Sequence, residues 1–158
     1  MVIENVVVIG AGTMGNGIAH TFAQFGYTVT LVDVSTESLH RGISTIEKNL
    51  SRQVTKTIID ESVKSDTLSK ITPSVNLEEA AKNADIIIEA ASENFEIKTN
   101  LFKLADSVCK PHTIFASNTS SISITSIAAA TSRAAKFIGM HFLNPVPLMK
   151  LCEIVRGY

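Results

Sequence analysis

The sequence has no tryptophan, only two cysteines and four prolines, and no surplus of positive charge. Cys109 and Cys152 match no metal-ligand spacing and are too few for a disulfide framework, so isolated core thiols in a reducing compartment are expected. A formal net charge of -1 excludes the basic footprint of a nucleic-acid binder and gives no excess for a membrane surface. No apolar run approaches the length that spans a bilayer. The opening residues, Met1 to Asn5, lack the basic region, apolar stretch and cleavage site of a signal peptide. These absences together point to a cytoplasmic protein. There is no internal repeat and no low-complexity linker. With 45% hydrophobic and 18% charged residues, 158 residues suffice for one α/β domain with a sizeable core and not for two ordinary ones. Apolar residues continue to Val155 and the chain stops at Tyr158 without a polar run-out, which reads as a domain boundary.

What is present is an alternation of short apolar runs with helical patterns. Val6 to Ile9 is wholly apolar and suits a parallel strand buried on both faces. A helix is predicted from Met14 to Phe25 with Ile18, Phe22 and Phe25 on its inner side, stopped by Gly26. Thr28 to Val32 reads as a strand, and a long amphipathic helix capped by Ser35 or Thr36 runs to about Val54. Ile58 to Lys70 is a polar helix with Ile59, Val63 and Leu68 as its buried side. A short strand at Ile71 to Val75, a short helix at Leu77 to Lys82 and an apolar strand at Asp85 to Ala90 follow. Phe95 to Val108 is helical with Ile97, Leu101, Leu104 and Val108 facing inward, and Pro111 blocks its continuation. Thr113 to Ala116 is a strand, Ile124 to Ala130 a helix, and Phe137 to Phe142 and Leu151 to Val155 the last two strands. The turn at Pro145 and Pro147 is too short for a crossover helix, so that final pair is expected to be antiparallel. The fold class expected is α/β: a Rossmann-type doubly wound, mainly parallel sheet with an antiparallel strand pair near the C-terminus.

The segment Gly10, Ala11, Gly12, Thr13, Met14 and Gly15 links the first strand to the first helix. In that context the three glycines fit a dinucleotide fingerprint. The first permits the tight turn, the second lets backbone approach a pyrophosphate, and the third lets helix and strand pack closely. The helix N-terminus offers unpaired N–H groups and a positive dipole end. Asp33 ends the second strand, where a carboxylate accepts from an adenosine ribose hydroxyl. A 2′-phosphate there would meet like charge, with no Arg or Lys before Arg41 to offset it, so NAD is favoured over NADP.

The second half carries three longer motifs: Ser117-Asn118-Thr119-Ser120-Ser121-Ile122, His141-Phe142-Leu143-Asn144-Pro145-Val146-Pro147, and Met149-Lys150-Leu151-Cys152-Glu153-Ile154-Val155. His141 ends one strand and Glu153 lies in the next, so the two side chains can meet across the hairpin. A carboxylate on one ring nitrogen fixes the tautomer and raises the basicity of the other. With the glycine turn, these motifs resemble the signature of L-3-hydroxyacyl-CoA dehydrogenases, without an obvious gap from Val6 to Gly157, and most of all the bacterial 3-hydroxybutyryl-CoA dehydrogenases.

The resemblance implies His141 as the general base that takes the proton of the 3-hydroxyl, Glu153 as its orienter, and Ser120 between substrate oxygen and cofactor. It implies cofactor contacts by Glu93, Lys98 and Asn144, and coenzyme A contacts by Asn49 and Lys56. Each has a plain alternative: Ser120 as a helix cap, Asn144 as a turn residue, Glu93 and Lys98 as a solvated pair, Lys56 as a surface lysine. Family members are usually lysine-richer around Val54 to Ile59 than this chain. The resemblance further implies that residues 1–158 are the NAD-binding domain alone, the family's C-terminal helical domain being absent from this chain. The expected partner is an acyl-CoA substrate, with neither nucleic acid nor membrane, and a homo-oligomer in the full-length protein. The isolated chain would then bind NAD, turn over slowly, and expose apolar surface favouring self-association. Two other readings stay open at this point: a related 3-hydroxy acid dehydrogenase acting on a sugar acid, and a non-catalytic NAD-binding structural protein of the same fold.

Overall fold

The computed structural model describes residues 2–158. Seven strands form one sheet: β1 (Asn5–Ile9), β2 (Thr28–Val32), β3 (Ile71–Ser74), β4 (Ile86–Glu89), β5 (Ile114–Ser117), β6 (Phe137–Phe142) and β7 (Cys152–Arg156). Their spatial order is β3-β2-β1-β4-β5-β6-β7, parallel throughout except for the antiparallel β6–β7 pair. Six helices connect them: α1 (Thr13–Gln24), α2 (Thr36–Thr55), α3 (Glu61–Ser69), α4 (Leu77–Ala81), α5 (Phe95–Asp106) and α6 (Ile124–Ala128). Successive residues of β1 face opposite sides. Val6 and Val8 pack with Ile18, Leu39, Ile46 and Leu50 of α1 and α2, while Val7 and Ile9 join Phe102, Phe115 and Ile127 on the α5–α6 side. The sheet is therefore doubly wound, and the predicted fold class stands. Pro73, which cannot donate to a ladder, sits in the edge strand β3, where that costs little.

Strand order reverses between β1 and β4, the place where such sheets bind ligands. Registers set the carboxyl ends of β1 to β5 level: Val32 pairs with Ser74 and Ile9, Ile9 with Glu89, and Glu89 with Ser117, while β6 runs three residues past the Gly139 that pairs with Ser117. The loops after β1 to β5 leave from one line, and the end of β6, with His141, projects past it. At the opposite edge Asp85 ties β1 to β4. Its Oδ2 accepts the N–H groups of Glu4 (3.0 Å) and Asn5 (2.8 Å), and Oδ1 meets His112 Nε2 at 3.4 Å. Burial pushes this carboxyl up, but the Asn5 and Glu4 N–H groups, then His112 and the Asn5 amide, outweigh it and bring it down to about 2. A depressed folded-state value means stability that is complete above the ordinary 3.8 and is lost as pH falls towards 2. Asp85→Asn is accordingly expected to cost about 1–2 kcal/mol near neutral pH. In thermal unfolding its difference from wild type shrinks between roughly pH 4 and pH 2.

Helix α2 ends in a left-handed residue that is not glycine. Thr57 has φ 54°, Ile58 N–H reaches Gln53 O at 2.9 Å and Thr57 N–H reaches Val54 O at 2.8 Å, the paired bonds of a Schellman ending. The position suits glycine, so Thr57→Gly is expected to stabilise by about 0.5–1 kcal/mol, raising Tm by ~1–4 °C.

Some inner faces differ from the periodicity reading. Phe25 is exposed at the end of α1 and Val63 on α3. On α5 the buried residues are Lys98, Thr99, Phe102 and Ala105, while Ile97 and Leu104 are exposed. Near the chain's end Leu148, Met149, Leu151, Ile154 and Val155 are also exposed. No helix among the described residues is long and apolar enough to cross a membrane.

Candidate active site

At the carboxyl end of β1 the chain turns through Gly10 with φ +99°, in a conformation L side chains rarely adopt. The Gly10 N–H donates to Val32 O at 2.7 Å, and the Ala11 N–H donates to Asp33 Oδ2 at 2.9 Å. Asp33 Oδ1 accepts the Ser35 N–H at 2.9 Å, so this carboxylate also braces the glycine turn, a role the spacing did not reveal. A Cβ on Gly15 would lie 1.7 Å from the Gly10 carbonyl oxygen, whereas one on Gly12 would meet nothing within 4 Å. Gly15 is thus a close-packing residue and Gly12 faces open space. Helix α1 starts with no side chain capping its first turn. Open space above an uncapped helix N-terminus fits a pyrophosphate. Beside it, Asp33, Val34, Gly10, Gly12, Ala90 and Ala91 line a cleft of about 400 Å³.

A second cleft of about 400 Å³ shares Ala90 and Ala91 with the first and brings together Met14, Glu93, Lys98, Ser120, His141 and Asn144. His141 stands directly opposite Glu153 in the β6–β7 register, and its Nδ1 lies 2.8 Å from Glu153 Oε2. Nε2 has no hydrogen-bond partner among the described residues. The imidazole is half-buried and Glu153 is exposed. Asn118 accepts the Phe142 N–H at 2.8 Å through Oδ1, which ties the Ser120 loop to the end of β6.

Lys98 is not a solvated residue. It is 1% exposed, with Nζ 2.7 Å from Glu89 Oε1 and 3.2 Å from Glu93 Oε2. Burial pushes the Glu93 carboxyl up, yet the hydroxyls of Thr119 and Ser121 and the Lys98 ammonium outweigh it and hold it at about 2. Glu93 therefore stays ionised beside the cleft. The serine-rich loop does more than cap a helix: Thr119 Oγ1 donates to Glu93 Oε1, and so does Ser121 at 2.9 Å, while Ser120 is left exposed to the cleft.

Asn49 and Lys56 lie apart from this cluster, in a groove of about 210 Å³ between α2 and the proline turn, lined also by Arg52, Pro145 and Leu148. Asn49, Arg52 and Lys56 recur three and four residues apart, hence on one helix face. Sequence reading missed Arg52, although its spacing from Lys56 was a usable signal. It also missed Asn118 and Glu89, the latter a lone charge ending an apolar strand. Among the described residues no cluster of His, Cys, Asp or Glu is arranged to hold a metal.

Residues 5–158 match the family described as 3-hydroxyacyl-CoA dehydrogenase, NAD binding domain. This chain belongs to that family. It is 51% identical over 156 residues to a 3-hydroxybutyryl-CoA dehydrogenase of Bradyrhizobium diazoefficiens, covering 99% of this chain and 53% of that protein. It is 44% identical to the mitochondrial hydroxyacyl-coenzyme A dehydrogenase of Homo sapiens, covering 99% of this chain and 51% of the human one. The crystal structure of (S)-3-hydroxybutyryl-CoA dehydrogenase from Ralstonia eutropha superposes with a TM-score of 0.95 at 46% identity, over 99% of this chain and 55% of that one. The chain spans about half the length of the curated relatives it matches. As a 3-hydroxyacyl-CoA dehydrogenase NAD-binding domain, it has NAD as its cofactor.

Proposed function

We propose that this domain holds NAD along the carboxyl edge of its sheet and supplies the proton-transfer pair for interconverting (S)-3-hydroxyacyl-CoA and 3-oxoacyl-CoA, with 3-hydroxybutyryl-CoA as its substrate. The observation that carries this reading is the His141–Glu153 pair at 2.8 Å, beside a cleft that shares Ala90 and Ala91 with the cleft at the glycine turn. When bound, NAD supplies the hydride acceptor for C3. Glu153 accepts the Nδ1 proton of His141, which leaves Nε2 as the base for the 3-hydroxyl proton. Ser120 donates to the same substrate oxygen. Lys98, Glu93 and Asn144 hold the cofactor end of the cleft, and Gly12 with the first turn of α1 takes the pyrophosphate. Asp33 keeps lone pairs for the ribose hydroxyls and repels a 2′-phosphate. Asn49, Arg52 and Lys56 present two cations and an amide to the phosphates of coenzyme A.

A fluorescence titration with NADH and NADPH, followed by NAD-dependent oxidation of 3-hydroxybutyryl-CoA and of gulonate, tests the reading. NADH is expected to bind at least about tenfold more tightly than NADPH, and only the coenzyme A thioester is expected to be oxidised. Equal binding of the two nucleotides would overturn the assignment of Asp33. Oxidation of gulonate alone would replace the substrate class.

A further inference from the structure

Glu89 ends β4 fully buried and touches neither cleft, yet four bonds converge on it. Oε1 accepts from Lys98 Nζ and from the Ala91 N–H, each at 2.7 Å, Oε2 accepts from Ser117 Oγ at 2.6 Å, and its backbone carbonyl accepts the Asn118 N–H at 2.8 Å. Those partners are the roots of the cleft walls. Ala90 and Ala91 cover the glycine turn so closely that a Cβ on Gly10 would lie 2.7 Å from Ala90 O. Lys98 carries the charge on to Glu93, and Glu93 holds the Thr119 and Ser121 hydroxyls on either side of Ser120. Asn118 then reaches the backbone next to His141. A buried ion pair is a poor source of stability, because desolvating both ions offsets most of their attraction, and an apolar pair of similar volume serves the core as well or better. Stability alone does not account for a buried carboxylate at this point.

We propose that Glu89 is a positioning residue: its buried charge anchors Lys98, the Ala90–Ala91 turn and the Ser117–Ser121 loop together, and so sets the shape of the cofactor and substrate cleft. The inference rests on the functional reading of that cleft, and its test separates the two. Glu89→Gln leaves Lys98 short of a counter-ion and is expected to lower Tm. Glu89→Gln combined with Lys98→Met removes both charges and is expected to bring Tm back close to wild type. With stability restored, amide hydrogen exchange at residues 117–122 is expected to run on the order of tenfold faster than in wild type, and Glu89→Gln alone, which keeps Lys98 in the cleft, is expected to bind NADH on the order of tenfold more weakly. Wild-type exchange in the double variant, or wild-type NADH affinity in Glu89→Gln, would reduce Glu89 to a core residue and overturn the proposal. So would tight NADH binding alongside a loosened loop, since the anchor would then not shape the cleft. The exchange measurement needs no ligand. Faster loop exchange in a protein whose wild type binds no NADH would sink the cofactor reading while leaving the anchoring role standing.

Discussion

Replacing His141 by asparagine is expected to lower kcat/KM for 3-hydroxybutyryl-CoA oxidation by about 10²–10⁴-fold, the range that general-base catalysis contributes. The asparagine amide can still donate to Glu153, so the hairpin that pairs residue 141 with residue 153 keeps its local bonding. What it cannot do is take a proton at the position of Nε2. NADH affinity is therefore expected to stay within about twofold of wild type, because a lost base removes an interaction made only in the transition state. Glu153→Gln should give a smaller loss in the same parameter, since the ring keeps its place but loses the carboxylate that selects its tautomer. Unchanged turnover in His141→Asn would remove the histidine from the chemistry. A parallel fall in NADH affinity would recast it as a cofactor contact.

The second large effect separates two glycines of one turn. Gly15→Ala places a methyl 1.7 Å from the Gly10 carbonyl oxygen and 2.8 Å from its carbon, and both are backbone atoms that cannot rotate away. Relief requires α1 to move off β1, a form of overpacking expected to cost about 3 kcal/mol or more. In a domain of this size that is a Tm decrease of ~6–12 °C. NADH binding is lost with it, because the helix N-terminus leaves its place. Gly12→Ala meets nothing within 4 Å, so its Tm is expected to be unchanged. Its methyl instead occupies the space above the turn and weakens NADH binding, on the order of tenfold or more. Thermal unfolding and nucleotide titration on the same two proteins check both halves. A Gly12→Ala protein with wild-type NADH affinity would mean that the pyrophosphate sits elsewhere.

Much of this was legible from residues close together in sequence. The strands Thr28–Val32 and Phe137–Phe142 fall where their apolar runs place them, and the short proline-containing connection, nine residues from Leu143 to Leu151, leaves no room for a crossover helix and so gives the antiparallel β6–β7 pair that puts His141 opposite Glu153. Ser35 caps α2 as its residue type suggests, accepting the Ser38 N–H at 3.2 Å. Local pattern failed where a partner arrives from another element. On α5 the periodicity puts Ile97, Leu101, Leu104 and Val108 on the inner face; Leu101 and Val108 do pack against the core, but Ile97 and Leu104 are exposed and Lys98 is buried. The buried face is shifted around the helix towards Lys98, Phe102 and Ala105, because Phe102 fills the space beside Phe115 and Phe137, and Lys98 meets Glu89 from β4. No count of apolar positions along α5 can register a carboxylate delivered by a different strand.

The glycine turn stands on the same division. The residue types from Gly10 to Gly15, their position between an apolar strand and a helix, and the acid at Asp33 were sufficient to specify a dinucleotide-binding α/β unit, since turn conformation, close backbone approach and helix start are short-range properties. The level carboxyl ends of β1 to β5, the buried Glu89–Lys98–Glu93 chain and the convergence of Ser120, Asn144 and His141 on one cleft came only with the assembled sheet. Those are matters of register and burial between segments far apart in the chain, where the energy of a charge depends on what surrounds it and not on its neighbours in sequence.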